Sequence, residues 1–153
     1  MSRIDFLEKY ATNGKHYDIN GELDTALDSK KYYVRSYAAK NPNCTKKHLD
    51  KALNDENDFV RISAAGNPNF TKEHLDKALN DPNIYVKANA ADHPNASKEH
   101  IDKALNDKDY YVRHAAASNH NVTKEHLDKA LNDESKYVRE AAKNNKRYKK
   151  YYK

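Results

Sequence analysis

The sequence predicts an all-α fold, an α-solenoid of about five two-helix units of 26 residues each. Three observations predict it. Aligned on itself, the chain repeats at that period. Each period holds two short runs with helical apolar spacing and their own start and stop signals. The composition, 37% hydrophobic and 33% charged, with a mean hydropathy of −1.19, is too polar for one large core. A stack of small units tolerates such polarity, because each unit buries only a thin seam against its neighbours.

The repeat is seen most plainly from Asn67 to Asp81, Asn-Pro-Asn-Phe-Thr-Lys-Glu-His-Leu-Asp-Lys-Ala-Leu-Asn-Asp, with close copies starting at Asn41, His93 and Asn119. Val34, Val60, Val86, Val112 and Val138 fall in register, each followed by Arg or Lys. Ala38, Ala64, Ala90, Ala116 and Ala142 lie four residues further on, and Leu23 to Ala39 is a diverged first copy. A first helix (helix A) takes Thr71, Ser97 or Thr123 as N-cap, with Glu73 in a first turn that favours an acid. Leu75, Ala78 and Leu79 form its apolar stripe, and Asn80 closes it. A second helix (helix B) is expected to start at Asp81 as N-cap with Pro82 at the first helical position. Val86 and Ala90 face its core, and His93-Pro94 ends it. Small residues such as Ala64 and Ala65 let these helices approach closely.

The expected organisation is a single repeat domain over 1–153: a capping helix in 1–14, repeats in 15–144, and a basic, Tyr-rich tail in 145–153. Ser2 and Asp5 have capping-box spacing, and Asn13-Gly14 would stop the first helix. Lys146, Arg147, Lys149, Lys150 and Lys153 carry the whole formal excess of +5, leaving 23 basic and 23 acidic residues in 1–145. A lone cysteine, Cys44, excludes an internal disulfide and a Cys-based metal site. The charged N-terminus and the lack of a long apolar run predict a cytoplasmic protein that does not enter a membrane.

The Asn-Pro-Asn entry, the Leu-x-x-Ala-Leu helix and the Asp-x-x-x-Tyr-Val-Arg-x-x-Ala-Ala second helix resemble the leucine-rich repeat variant and the wider HEAT-like α-solenoid group. The likeness runs from about Leu23 to Asn144. It implies a right-handed, curved superhelix in which one helix of each unit can be 3₁₀. It implies no activity, because such folds host many functions. The Cys-rich iron–sulfur segment of some members has no counterpart beside Cys44. The Trp used by HEAT-like DNA glycosylases is absent too.

Three surfaces separate on a helical wheel. The helix A face carries Lys72, Glu73, Asp76 and Lys77, with Glu73→Lys77, Glu99→Lys103 and Glu125→Lys129 at the favoured i,i+4 spacing; it neutralises itself. The helix B face carries a constant aromatic at Tyr33, Phe59, Tyr85, Tyr111 and Tyr137. Beside it the residues vary: Ser36, Ile62, Ala88, His114 and Glu140 at one position; Lys40, Gly66, Asp92, Ser118 and Asn144 at the other. A constant aromatic row beside changing neighbours suits a protein-binding surface, with Tyr33, Phe59, Ile62, Tyr85, Tyr111, His114 and Tyr137 as candidate contacts. The rings equally suit packing between units. The recurring His48, His74, His100 and His126 are expected to pack or cap helices. Neighbouring helices set them roughly 10 Å apart, too far to share a metal ion, so no metal or cofactor is expected.

The tail Lys146-Arg147-Tyr148-Lys149-Lys150-Tyr151-Tyr152-Lys153 interleaves bases with aromatics, which suits phosphate and base contacts. Nucleic-acid binding through it is the alternative to a protein partner. No nucleophile–base set or Gly-rich phosphate loop stands out, and each recurring Asp and His belongs to several units. A non-enzymatic scaffold, acting as adaptor or inhibitor, is therefore the expected class, ahead of a glycosylase-like enzyme.

Overall fold

Among the described residues most helix starts are set by side-chain caps, and one design recurs. Thr45, Ser97 and Thr123 stand in extended backbone just before a helix and accept the N–H of His48, His100 and His126 on their hydroxyls. Each imidazole reaches back, its Nδ1 accepting the cap residue's own N–H at 3.0 Å. Histidine thus fills the role that Glu or Gln has in a capping box. At the far end Asn54, Asn106 and Asn132 turn their amides back to the carbonyls of Asp50, Asp102 and Asp128.

The computed structural model describes residues 19–152, so the expected capping helix in 1–14 lies outside the described residues. Over that range the protein is all-helical, with eleven helices and no strand among the described residues. The helices are α1 Ile19–Leu27, α2 Tyr32–Ala39, α3 Lys46–Leu53, α4 Asp58–Ala65, α5 Lys72–Ala78, α6 Ile84–Ala91, α7 Lys98–Leu105, α8 Tyr110–Ser118, α9 Lys124–Leu131, α10 Lys136–Asn144 and α11 Tyr148–Tyr152. None is long and apolar enough to cross a membrane, among the described residues.

The expected start of the second helix at Asp81 is corrected. Asn83 is the N-cap, accepting the N–H of Tyr85 and Val86, and the helix begins at Ile84. Asp81 stands one step earlier and accepts the N–H of Asn83 at 2.8 Å. Asp55, Asp107 and Asp133 make the same turn. Pro82 therefore sits in the turn between Asp81 and the cap, not in the helix.

The chain divides into two compact units, Met1–His74 and Leu75–Lys153. In the first, α2 packs on α4, α1 on α3, and the two pairs face each other. Its core holds Leu23, Leu27, Val34, Leu49, Val60 and Phe70, with Ala38, Ala39, Ala64 and Ala65 almost wholly buried at the contacts. Cys44 belongs to this core; its thiol donates to the Ala38 carbonyl at 3.2 Å, and burial pushes it up to about 12. In the second unit α6, α8 and α10 lie side by side, α7 packs beside α9, and α11 rests on α9 and α10. Val86, Ile101, Val112, Val122, Leu127 and Val138 are buried there.

Polar side chains tie successive helix pairs together inside each unit. Asn67 donates to the carbonyls of Ala39 and Asn41, at 2.7 and 2.9 Å. Asn119 does the same to Ala91 and His93, and Asn145 to Ala117 and Asn119. After Val34, Val86 and Val112 the base is buried and paired 20 residues on: Arg35 with Asp55, Lys87 with Asp107, Arg113 with Asp133. Burial works against the charge on Asp55 and Asp133, yet the arginine bonds outweigh it and hold both carboxyls below their ordinary value.

Candidate interaction face

The aromatic row stands out of the core. Tyr33 is 36% exposed, Phe59 59%, Tyr85 51%, Tyr111 42% and Tyr137 50%. Each is the second residue of its helix, and at Phe59, Tyr85 and Tyr111 the preceding Asn or Asp cap accepts the aromatic residue's own N–H. The tyrosines one residue earlier, Tyr32 and Tyr110, are exposed as well. The rings touch within each unit without covering one another. Tyr32 stacks on Phe59 at 5.9 Å in the first. In the second, Tyr85 meets Tyr111 edge-on at 5.5 Å, and Tyr110 stacks on Tyr137 at 5.6 Å. Ile62 is half-buried. His114, also half-buried, lies parallel to the Tyr111 ring at 6.5 Å.

The second unit adds a concavity to this face, a cleft of about 710 Å³. Its walls come largely from the two variable positions: His114 and Glu140 from one, Asp92, Ser118 and Asn144 from the other, with Tyr137 beside them. His120, Lys146 and Arg147 complete it. Asp92 follows α6, Ser118 ends α8 and Asn144 ends α10. Partial burial raises the Asp92 carboxyl above its ordinary value, against the influence of His120, His114 and His93. The side chains of Asp92, His114, His120, Glu140, Asn144, Lys146 and Arg147 make no hydrogen bond or salt bridge among the described residues.

The recurring histidines are buried and structural. With Nδ1 accepting at the cap, the ring proton sits on Nε2 and points to an aspartate 24 residues earlier. His74 meets Asp50 at 3.0 Å and His100 meets Asp76 at 3.0 Å. His48 and Asp24 lie 3.4 Å apart, and His126 and Asp102 3.1 Å. Among the described residues no cluster of three or more His, Cys, Asp or Glu residues could hold a metal ion.

The helix A face forms different pairs from some of those its spacing suggested. Lys46 binds Asp50 and also Glu73, and Lys124 binds Asp128 at 2.8 Å. Lys129, expected to face Glu125, donates to Asn106 at 2.6 Å. Glu125 instead turns to the start of its own helix. Backbone N–H there and the Thr123 hydroxyl keep its carboxyl below the ordinary value.

The basic segment follows the repeat register. Asn145 accepts the N–H of Arg147 at 2.9 Å, as Asn67 accepts that of Asn69. Tyr148 stacks on Tyr152 at 4.7 Å, as Phe70 stacks on His74 at 4.8 Å. The Tyr152 hydroxyl donates to Asp128, and Lys124 lies over the Tyr152 ring. Lys149 and Lys150 are exposed, Tyr151 is half-buried, and Lys153 lies outside the described residues.

The sequence placed the aromatics and variable residues on one helix face. It did not reveal that His120, Lys146 and Arg147 reach the same cleft, nor that the caps' histidines bond to aspartates one unit back. The constant 24-residue step between those His and Asp positions was the available signal. Compared with known proteins, the chain matches no family model, and no curated protein matches it.

Proposed function

We propose that the chain is a non-enzymatic interaction scaffold. In this reading it is a right-handed α-solenoid of about five 26-residue two-helix repeats, HEAT-like or close to the leucine-rich repeat variant. It binds a protein partner through the helix B face, as an adaptor or inhibitor. The observation that carries the reading is the exposure of Tyr85, Tyr111 and Tyr137, each about half open on helices otherwise buried by their Val and Ala residues. Tyrosine offers large contact area at low entropic cost, and exposed aromatics of this kind become anchors at interfaces. The variable residues beside them supply the selectivity. The same repeated polar links within each unit, Asn to carbonyl and His to Asp, support the stacked arrangement.

The test is an affinity purification from the native cell with wild-type chain and with the Tyr85→Ala, Tyr111→Ala pair. A specific protein recovered by wild type and lost by the variant, with unchanged circular dichroism, supports the reading. Equal recovery by both, or none by either, counts against it.

A further inference from the structure

We propose that the cleft at the ends of α6, α8 and α10 takes a partner segment in which a Lys or Arg side chain stands beside an acidic group. The cation goes to Asp92 and Glu140, the anion to Lys146 and Arg147. This rests on the scaffold reading and names the chemistry the partner must carry.

The charges buried within the second unit are paired, Lys87 with Asp107 and Arg113 with Asp133, and Lys124 meets Asp128 on its surface. The cleft gathers two acids and two bases that bind nothing among the described residues. The fold does not need them. At the position of Glu140 other units carry Ser36, Ile62, Ala88 or His114, and where Lys146 and Arg147 stand, earlier units have Pro-Asn, as at Pro68-Asn69, or His120-Asn121.

The ligand's character follows from the balance. A purely cationic segment would leave Lys146 and Arg147 facing like charge, and a purely anionic one would leave Asp92 and Glu140 so; like charges across an interface are strongly disfavoured. The carbonyl ends of helices carry partial negative charge, and Asp92, Ser118 and Asn144 mark three such ends. The Asp92 and Glu140 carboxylates take the cation, and the Lys146 and Arg147 side chains take the anion. The Tyr137 ring in the wall offers a surface for the stem of a long basic side chain. A cleft of about 710 Å³ lies within the common range for ligand sites, about 300–1,000 Å³.

The experiment measures fluorescence anisotropy of four labelled peptides of equal length on the full chain: alternating Arg and Glu, all basic, all acidic, and neutral. A labelled single-stranded DNA is the fifth probe. The chain is wild type, D92N with E140Q, K146E with R147E, or Y85A with Y111A, each checked for an unchanged fold by circular dichroism. The mixed-charge peptide is expected to bind tightest, and each cleft pair to weaken it by about tenfold or more. Binding lost in the tyrosine pair but indifferent to both cleft pairs overturns the cleft and leaves the scaffold standing. No peptide binding by wild type overturns the cleft proposal and leaves the scaffold reading to its own purification test. Preference for the single-stranded DNA, lost in K146E with R147E, overturns the proposal in favour of a nucleic-acid surface.

Discussion

Tyr152 donates its hydroxyl to Asp128 across 24 residues, the separation at which His74 meets Asp50 and His100 meets Asp76. A phenol thus occupies the register place of an imidazole. Burial and the neighbouring Asp128 push the Tyr152 hydroxyl up to about 12, so it remains a donor at neutral pH. Tyr152→Phe removes one hydrogen bond and is expected to lower stability by about 0.5–1.5 kcal/mol. Tyr152→His should retain most of it. Urea unfolding followed by circular dichroism reads both.

His100 does two things at once, accepting the Ser97 N–H and meeting Asp76. His100→Ala removes the imidazole half of the capping box and the link to the preceding helix. A loss of about 1–2 kcal/mol is expected, the range of a lost helix cap. His126→Ala, set in the same geometry, should cost a similar amount, measured by the same unfolding midpoint.

Asn119 is wholly buried. It donates to Ala91 and His93 and accepts from the Asn121 N–H. Asn119→Ala leaves two carbonyls and one N–H without those partners in a dry place. Stability should fall by about 1–3 kcal/mol, and amide exchange of Asn121 should quicken selectively.

Asp133 gives a pH test. Burial opposes its charge, but Arg113, the Ser135 N–H and nearby Arg139 outweigh that, favour the ionised form and hold the carboxyl below its ordinary value. A carboxyl lowered in the folded state stabilises fully above the ordinary aspartate value and loses that contribution as pH falls through the lowered one. Asp133→Asn leaves the buried Arg113 with only the exposed Glu134 as counter-ion. The expected loss at neutral pH is about 3 kcal/mol. The gap in melting temperature between wild type and variant should narrow below about pH 4.

Local chemistry was readable from the sequence, and pairing over distance was not. Ser97 and Thr123 cap where their order before an amphipathic run places them. Asp81 was misplaced because two polar residues, Asp81 and Asn83, both offer an oxygen ahead of one helix. The backbone uses them in series, the first for a turn and the second for the cap. The face bearing Tyr85, Tyr111 and Tyr137 follows from helical spacing alone, whereas their exposure depends on how neighbouring helices pack. The cleft needs Asp92, His114 and Lys146 brought together from separate repeats, and no periodicity encodes that closeness. Tyr152 fell in register with the histidines, but its change of residue type hid the match.

The central claim, that the helix B aromatics form the partner-binding surface, is tested most directly by hydroxyl-radical footprinting of the chain with and without its purified partner. Oxidation of Tyr85, Tyr111 and Tyr137 should fall on binding, while labelling on the outer face of α7 and α9 stays unchanged. Unaltered oxidation of these three rings in a saturated complex, with protection on α7 and α9 instead, would contradict the account.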